Sequence, residues 1–335
     1  MRSGRRALTR LAVFLLALLL AALAVEAAVS LFDPFGVLDG FDMERYQNEL
    51  VELLPGSPRI FRHRPDRELR FRRWSIRTNA DGLRGPERQK PKPPDVKRVL
   101  FVGDSVVFGW GVNEEDTFVA LVEAALARRG RYECVNLGHL FHDTTQEAAA
   151  FADVGLAYEP DLVLLVFVDN DVVPTQEYYG GAATRPAATE AARRAIRRLE
   201  RLAKLRPLLP RTHALLSYLF VQATPEAQTG AVEQWKALGL DLEKGWALAR
   251  EGIVRMRDLS AARGARFAVL DLYRFAELEK FCAAQGIPYA SIDFTAEERA
   301  TGVRNSASDA HANPNGHRLY ARHILDAIGR LRLLE

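Results

Sequence analysis

The sequence predicts an α/β protein with a doubly wound, mostly parallel sheet, and three observations support this prediction. Short apolar runs recur after residue 97, as expected of strands that are covered on both faces. Segments in which apolar residues recur at helical spacing separate these runs. Small polar residues follow several runs directly, at the strand ends where open α/β folds bind their ligands.

The first 32 residues are predicted to form a membrane-targeting segment. Four arginines accompany the start of an apolar run at 11–25, and a milder apolar stretch follows Glu26. The run reaches the ~20 residues of a membrane span if Glu26 lies near the outer interface. We therefore favour a single-pass anchor with its basic end in the cytoplasm, and a signal peptide with small residues at Ala22 and Ala24 is the alternative.

Both alternatives export the remainder of the chain. The two cysteines, Cys134 and Cys282, are too few for a disulfide framework, and their spacing does not indicate a metal site. We expect a bacterial inner-membrane protein whose main domain faces the periplasm, or a secreted protein if the segment is cleaved. We expect neither a metal ion nor a cofactor.

Residues 33–97 are predicted to be an irregular, basic neck that ends in a proline-rich boundary. Arginines are dense between Arg59 and Arg98, although the net charge of the chain is only +3. This stretch could lie against anionic lipid or polysaccharide, but we favour pairing with acidic residues of the main domain. Aromatic residues are sparsely interleaved with the arginines, which argues against nucleic acid as a partner.

The main domain is predicted to span 98–335. Its strands are expected at 99–102, 134–137, 161–167, 265–271 and 287–293. Asp116 or Thr117 would cap the first helix, Asp143 and Gln146 would form a capping box, and Asn313 with Pro314 would begin the last helix. Residues 176–264 are too long for a simple crossover. This helical insertion includes an amphipathic, basic helix at 191–205, which would pack on the domain or act as a lid.

Candidate site residues lie at the ends of the first three strands of the predicted sheet. Ser105 comes after the first strand, Gly138 ends the second, and the Asp169-Asn170-Asp171 triplet follows the third. Near the carboxyl end of the chain, Asp309 and His311 precede the last helix. Taken alone, the Gly103-Asp104-Ser105 turn is as compatible with a simple chain reversal as with a nucleophile.

Four blocks of the sequence, in this chain order, resemble the SGNH/GDSL hydrolase superfamily. They are Gly103-Asp-Ser-Val, Asn136-Leu-Gly138, Asp169-Asn-Asp171 and Asp309-Ala-His-Ala-Asn-Pro-Asn-Gly-His317. The Thr78-Asn-Ala-Asp-Gly-Leu-Arg84 segment of the neck is similar to membrane-anchored bacterial members. The resemblance implies a flavodoxin-like, three-layer α/β/α fold.

The resemblance also implies a catalytic role for each matching residue. Ser105 would be the nucleophile, His311 its base, and Asp309 the carboxylate that orients the imidazole. The backbone N–H groups of Ser105 and Gly138 and the side-chain amide of Asn170 would form the oxyanion hole. Three further residues would contact the substrate: His139, His142 and Asp169. Asp309, His311 and His317 could also suggest a metal site, which we disfavour because the helix start directs His317 away.

These residues predict a serine ester hydrolase that acts through an acyl-serine intermediate. Its substrate would be an acylated, most simply acetylated, carbohydrate or lipid ester of the cell envelope. An O-acyltransferase that passes the acyl group to a polysaccharide requires the same residues, and the Asp-x-His spacing at 309–311 occurs in related acyl-transfer proteins. A non-catalytic carbohydrate-binding protein is the third alternative, although all four catalytic residue types are present.

Overall fold

A computed structural model describes residues 2–33, 35–174, 204, 206–222 and 240–335. The chain divides into two units. The first, called here the anchor unit, comprises Met1–Glu44, Ala188–Leu238 and Ser306–Asp309. The second, called here the catalytic unit, comprises Arg45–Ala187, Gly239–Asn305 and Ala310–Glu335.

The N-terminal third of the chain contains more regular structure than its sequence predicts. Its elements are α1 (Arg2–Phe32), α2 (Asp39–Glu49), β1 (Val51–Leu53), β2 (Phe61–His63), β3 (Glu68–Arg70) and β4 (Ser75–Arg77). β1 pairs with β2 and β3 with β4, each as an antiparallel hairpin. Some residues of these strands, among them Phe61, Leu69 and Ile76, are buried. Their burial stabilises hairpins whose strands are only three residues long.

The remaining elements alternate between strand and helix. They are β5 (Lys97–Gly103), α3 (Ser105–Phe108), α4 (Phe118–Leu126), β6 (Tyr132–Gly138), α5 (Thr144–Asp153), β7 (Leu162–Phe167), α6 (Pro210–Gln222), α7 (Leu242–Ala262), β8 (Arg266–Asp271), α8 (Ala276–Ala284), β9 (Tyr289–Ser291), α9 (Ala296–Ala300) and α10 (Pro314–Arg330). All five predicted strands are present, with boundaries that differ by a few residues.

The five strands form one parallel sheet in the order β6-β5-β7-β8-β9. The apolar residues of β5 and β7 are almost fully buried because helices cover both faces of the sheet. α4 and α10 pack on one face, and α5, α7 and α8 pack on the other. The predicted flavodoxin-like, three-layer fold is confirmed. Its strand order reverses between β5 and β7, and ligands of such sheets bind at the carboxyl ends of the strands there.

The predicted helix caps are confirmed. The Thr117 hydroxyl, rather than Asp116, accepts the N–H of Ala120 at the start of α4. Asp143 and Gln146 form the capping box of α5. Asn313 caps α10 with Pro314 in the first turn. The helix predicted at 191–205 lies outside the described residues apart from Lys204, so the proposal of a lid there stays a prediction.

α1 is long and apolar enough to cross a membrane. Its candidate span, Arg5–Phe32, has 28 residues, and an 18-residue window within it has a mean hydropathy of 2.6. A signal sequence near the N-terminus would meet the same criteria. The helix therefore agrees with both alternatives of the sequence analysis, a membrane span and a signal sequence.

Candidate active site

Ser105 lies at the carboxyl end of β5, where the strand turns directly into α3. Asp104 is the N-cap of α3, and its Oδ1 accepts the N–H of Val106 at 2.9 Å. The turn needs glycine at position 103, because a Cβ atom there would lie 2.4 Å from the Val107 side chain. Ser105 is 9% exposed. The turn therefore presents one hydroxyl at the rim of the sheet.

His311 reaches this hydroxyl from the other end of the chain. Its Nε2 lies 2.8 Å from Ser105 Oγ, across 206 residues of sequence. The loop that holds His311 is tied by backbone hydrogen bonds: Asn305 N–H donates to His311 O and Asn313 N–H to Val303 O, each at 2.9 Å. This geometry allows the imidazole to take the proton from the Ser105 hydroxyl.

Asp309 belongs to a turn within the anchor unit. Its N–H donates to Ser306 Oγ at 3.0 Å, and its carbonyl accepts the N–H of Ser306 at 3.1 Å. The segment Ser306–Asp309 and His311 fall in different units. The role of Asp309 as the carboxylate that orients His311 therefore stays a prediction.

Asp104 connects the nucleophile with the predicted oxyanion residue Asn170. Its Oδ2 accepts the Ser105 hydroxyl and the Asn170 side-chain amide, each at 3.1 Å. Asn170 lies in a 3₁₀ turn after β7, which Asp171 closes by accepting the N–H of Val168 at 2.9 Å. The amide donor of Asn170 thus lies beside the nucleophile, at the reversal point of the sheet.

Gly138 has a clear packing role at the end of β6. A Cβ atom there would lie 2.1 Å from the backbone nitrogen of Phe108, so only glycine lets α3 approach this strand. Its N–H donates to Asn136 Oδ1 at 2.9 Å. An oxyanion would have to share or replace this bond, and the predicted role of Gly138 in the oxyanion hole stays a prediction.

His139 and His142 are buried in a stack of three imidazole rings. The rings of His63 and His139 are 3.6 Å apart and nearly parallel, and those of His139 and His142 are 4.2 Å apart. Tyr46 Oη lies 2.7 Å from His63 Nε2. Burial lowers the pKa of His139 to about 3 and holds the pKa values of His63 and His142 well below the usual range.

These rings are therefore neutral near pH 7. His139 and His142 are 4% and 1% exposed, so an approaching substrate would meet little of either side chain in this conformation. Their predicted contact with substrate stays a prediction. Among the residues that the structure describes, no group of three or more His, Cys, Asp and Glu is arranged to bind a metal ion.

Asp169 differs from these histidines because it is only partly buried. It precedes Asn170 in the 3₁₀ turn. Burial, together with the nearby carboxyl group of Asp104, raises the pKa of Asp169. A carboxyl group of raised pKa beside the nucleophile fits a substrate-contacting role, which stays a prediction.

Arg84 is a structural residue of the site that the sequence analysis did not single out. It is 2% exposed, and its guanidinium donates to the carbonyls of Phe108, Gly109 and Val112 at 2.9, 2.6 and 2.6 Å. Burial lowers its pKa to about 10. Arg84 thus fixes the loop that follows α3. Its position in the family-like segment 78–84 was the available signal.

Two buried carboxyl groups were also missed. Glu147 on α5 and Asp171 are 0% and 2% exposed. Burial raises the pKa of both groups well above the usual range, and neighbouring acids, Asp104 among them, add to the shift. Both side chains therefore favour the protonated form. Their positions in a capped helix and in the Asn170-Asp171 pair gave no indication of burial.

Some arginines of the basic stretch between Arg59 and Arg98 pair with acidic residues of the main domain. Arg88 pairs with Glu123, and Arg98, which is fully buried, pairs with Glu133. These pairs lie within the catalytic unit. The Arg88–Glu123 pair agrees with the favoured alternative of the sequence analysis, and residues 45–97 belong to the same unit as the sheet.

Comparison with known proteins assigns this chain to a family. Residues 101–319, about two thirds of the chain, match the model of the GDSL-like Lipase/Acylhydrolase family. The chain belongs to this family. As a GDSL-like lipase/acylhydrolase it is an ester-hydrolysing enzyme. A comparison with curated protein sequences gave no match.

Solved structures of the same kind are similar to this GDSL-like protein. The crystal structure of TesA matches at 15% identity, covers 70% of this chain and 99% of its own, and has a TM-score of 0.41. The lipase/acylhydrolase from Enterococcus faecalis matches at 15% identity, covers 71% of this chain and 99% of its own, and has a TM-score of 0.39. A two-domain esterase active on acetylated mannans matches at 15% identity, covers 71% of this chain and 50% of its own, and has a TM-score of 0.42.

Proposed function

We propose that this GDSL-like enzyme is a membrane-anchored serine esterase that removes small acyl groups, most simply acetyl groups, from a carbohydrate of the cell envelope. The observation that supports it best is the 2.8 Å distance between His311 Nε2 and Ser105 Oγ at the reversal point of the sheet. The apolar helix α1 supports tethering to a membrane. The arginines before its apolar run favour a cytoplasmic N-terminus, which would put the catalytic unit on the periplasmic side.

The reaction would begin with the transfer of the Ser105 hydroxyl proton to His311 Nε2. Ser105 Oγ then forms a bond to the ester carbonyl carbon, and the negative charge develops on the carbonyl oxygen. The backbone N–H of Ser105, the first residue of α3, has no acceptor within its own helix and can donate to this oxygen. The Asn170 amide would add a second donor, and Gly138 N–H a third.

Asp104 would hold the nucleophile and the Asn170 amide before substrate binds. Its Oδ2 accepts both the Ser105 hydroxyl and the Asn170 amide. A hydroxyl has a single proton, so its bond to Asp104 competes with its bond to His311. Arrival of the substrate carbonyl would release the Asn170 amide from Asp104 and leave the Ser105 proton directed at His311.

Breakdown of the tetrahedral intermediate expels the alcohol, which takes the proton from His311. The acyl group remains on Ser105. Water, activated by His311, then attacks the acyl carbon and releases the carboxylic acid together with free Ser105. Asp309 would hold the imidazole in the tautomer that accepts at Nε2. An acyl acceptor other than water would give transfer by the same steps.

The experiment is hydrolysis of an aryl acetate and of an acetylated polysaccharide by the full-length protein in detergent. We expect acetate release by the natural protein and loss of at least about 10³-fold in kcat for Ser105→Ala and His311→Ala. His323→Ala is a matched control, because His323 contacts Glu298 and the Ile292 carbonyl instead of Ser105. Activity that survives in Ser105→Ala would refute the proposal.

The same preparation separates hydrolysis from transfer. The acetylated donor is incubated with an unacetylated oligosaccharide, and both products are measured by mass spectrometry. We expect free acetate as the main product. Acetylated oligosaccharide formed in excess of acetate would assign the acyl-serine to an acyltransferase.

A further inference from the structure

Glu26 is a carboxylate inside the most apolar helix of the chain. It follows the apolar run 11–25, and apolar residues continue after it to Phe32. At 1.5 Å per residue, a span of ~20 residues that begins at Leu11 would end near residue 30. Glu26 would then lie close to the outer end of the span. A carboxylate in this position is costly unless other groups satisfy its oxygens.

The anchor unit satisfies this carboxylate with the first turn of α6. Glu26 Oε1 accepts the N–H of Arg211 at 2.9 Å, and Oε2 accepts the N–H and the hydroxyl of Thr212 at 2.7 and 2.9 Å. The first N–H groups of a helix have no partner within the helix, and the helix dipole favours an anion there. Glu26 therefore fixes the start of α6 at its own level on α1.

Apolar packing continues this attachment along both helices. Val29 of α1 belongs to a buried apolar cluster with Val37 and Leu38, and Ala214, Leu215 and Tyr218 pack against this cluster. The ring of Tyr218 stacks on that of Phe35 with centroids 5.2 Å apart. Since α6 begins beside Glu26 and reaches Phe35 seven residues after Arg211, it runs alongside the outer end of α1 in the same direction.

The exposed side chains of this helix pair include several large apolar ones. Leu216 and Leu219 of α6 are 38% and 45% exposed, and Leu208, which precedes the helix, is 80% exposed. We call these three leucines the leucine patch. The sequence of α6 has no charged residue from Thr212 to Gln222. On α1, Leu31 and Phe32 are also exposed. This apolar surface is continuous with the helix that is expected to cross the membrane.

We propose that α6 lies in the outer interface of the membrane beside α1, with the leucine patch in contact with lipid. The helical insertion thus returns the chain to the bilayer after the first half of the sheet. The occupant of the patch is a lipid bilayer, because the surface adjoins a candidate span and because the level of α6 is fixed by Glu26. This inference rests on the membrane-anchor part of the proposed function and is independent of the ester chemistry.

The test places a fluorescent label on the leucine patch in the full-length protein. Leu216→Cys and Leu219→Cys are labelled with an environment-sensitive dye after reconstitution into phosphatidylcholine–phosphatidylglycerol vesicles. Both native cysteines are buried, so the new thiols are labelled selectively. Leu53→Cys is the matched control, since Leu53 is a 70% exposed leucine of the catalytic unit.

We expect spin-labelled lipid to quench the dyes at 216 and 219 about threefold more than the dye at 53, and aqueous iodide to quench them less. Equal quenching of all three dyes by both agents would overturn the proposal. Glu26→Ala should increase the iodide quenching of the dye at 216, whereas Glu26→Gln, which keeps one of the two acceptor oxygens, should preserve part of the protection.

Two measurements on the same vesicles separate this inference from the proposed function. Resistance to carbonate extraction tests the anchor, and acetate release tests the esterase. Protein that remains in the vesicles with both α6 dyes exposed to water overturns this inference alone. Protein that carbonate extracts overturns the anchor together with this inference, whether or not it hydrolyses esters.

Discussion

Histidines of the catalytic unit occupy two contrasting environments. His311 is partly exposed and lies 2.8 Å from the Ser105 hydroxyl, in a loop that backbone hydrogen bonds and the cap of α10 help to hold. His63, His139 and His142 are buried and stacked face to face. The same side chain is thus placed for proton transfer in one region and excluded from it in the other.

Histidines in the two environments differ in chemistry because their solvent exposure and their neighbouring groups differ. The stacked rings lose their charge because burial penalises the imidazolium form. His311 retains a solvent-accessible ring next to a hydroxyl donor, which is the arrangement that a general base requires. Substitutions in the two regions should therefore affect different properties.

The largest effect is expected for exchange of the base. His311→Gln should lower kcat for aryl acetate by at least about 10³-fold and leave the free energy of unfolding nearly unchanged, because the ring is only partly buried. His139→Gln should show the opposite pattern, with reduced stability and less than about tenfold loss of kcat. Steady-state kinetics and urea unfolding of both variants test this. A comparable loss of kcat in both would remove the distinction between the regions.

The next effect concerns the oxyanion donor beside Ser105. Asn170→Ala should lower kcat by about 10²- to 10³-fold with little change in KM, because the amide acts on charge that develops in the transition state. Asn170→Asp keeps the shape but replaces the donor with an acceptor, and should be at least as impaired. Asn315→Ala, a substitution on α10 that removes a bond to Thr301, is the control. A change confined to KM would contradict the assigned role.

Substitution of Arg84 is expected to affect the free energy of unfolding. Its guanidinium donates to three carbonyls in a buried position, so Arg84→Ala should lower the free energy of unfolding by about 3 kcal/mol. Arg84→Lys should restore part of this loss. Arg62→Ala, which removes a partly exposed pair with Glu52, should cost less than about 1 kcal/mol. Urea unfolding of the three variants provides the measurement.

A further expected effect is a dependence of the free energy of unfolding on pH. The folded-state pKa of His139 is about 3, below its value in the unfolded chain, so the unfolded chain binds the extra proton first. The stabilisation from His139 is complete above pH ~6.5 and is lost as the pH falls towards 3, at about 1.4 kcal/mol per pH unit.

Glu147 and Asp171 have the opposite sign. Their pKa values are raised in the folded state, so their contribution to stability is present at low pH and is lost as the pH rises through the range above ~4.

The difference in stability between the natural protein and His139→Phe, measured against pH, isolates the contribution of His139. We expect the variant to have a shallower loss of stability between pH 6.5 and 5. Parallel curves for the two proteins would exclude titration of His139 as the cause.

The sequence was sufficient to predict the layers, the strands and the helix caps. β5 and β7 are recognisable because strands buried on both faces must be continuously apolar, and the caps follow from local chemistry at Thr117, Asp143 and Asn313. The family resemblance supplied Ser105 and His311, whose approach across 206 residues no local pattern could have shown.

Other features depend on contacts that a sequence pattern does not encode. The hydrogen bonds of Arg84 and the stacking of His63 on His139 arise where separate segments meet. Burial of Glu147 depends on how the 3₁₀ turn after β7 packs near α5. The bond between Gly138 N–H and Asn136 Oδ1 likewise appears only once the strand end has been folded.

Acylation of Ser105 with His311 as its base can be tested directly by covalent labelling of the nucleophile. The full-length protein is treated with a serine-directed fluorophosphonate, and the modified peptide is identified by mass spectrometry. We expect one adduct, on Ser105, formed at a rate that falls by at least about 10²-fold in His311→Ala and is unchanged in His323→Ala. An adduct on another residue, or labelling of Ser105 at the same rate without His311, would contradict it.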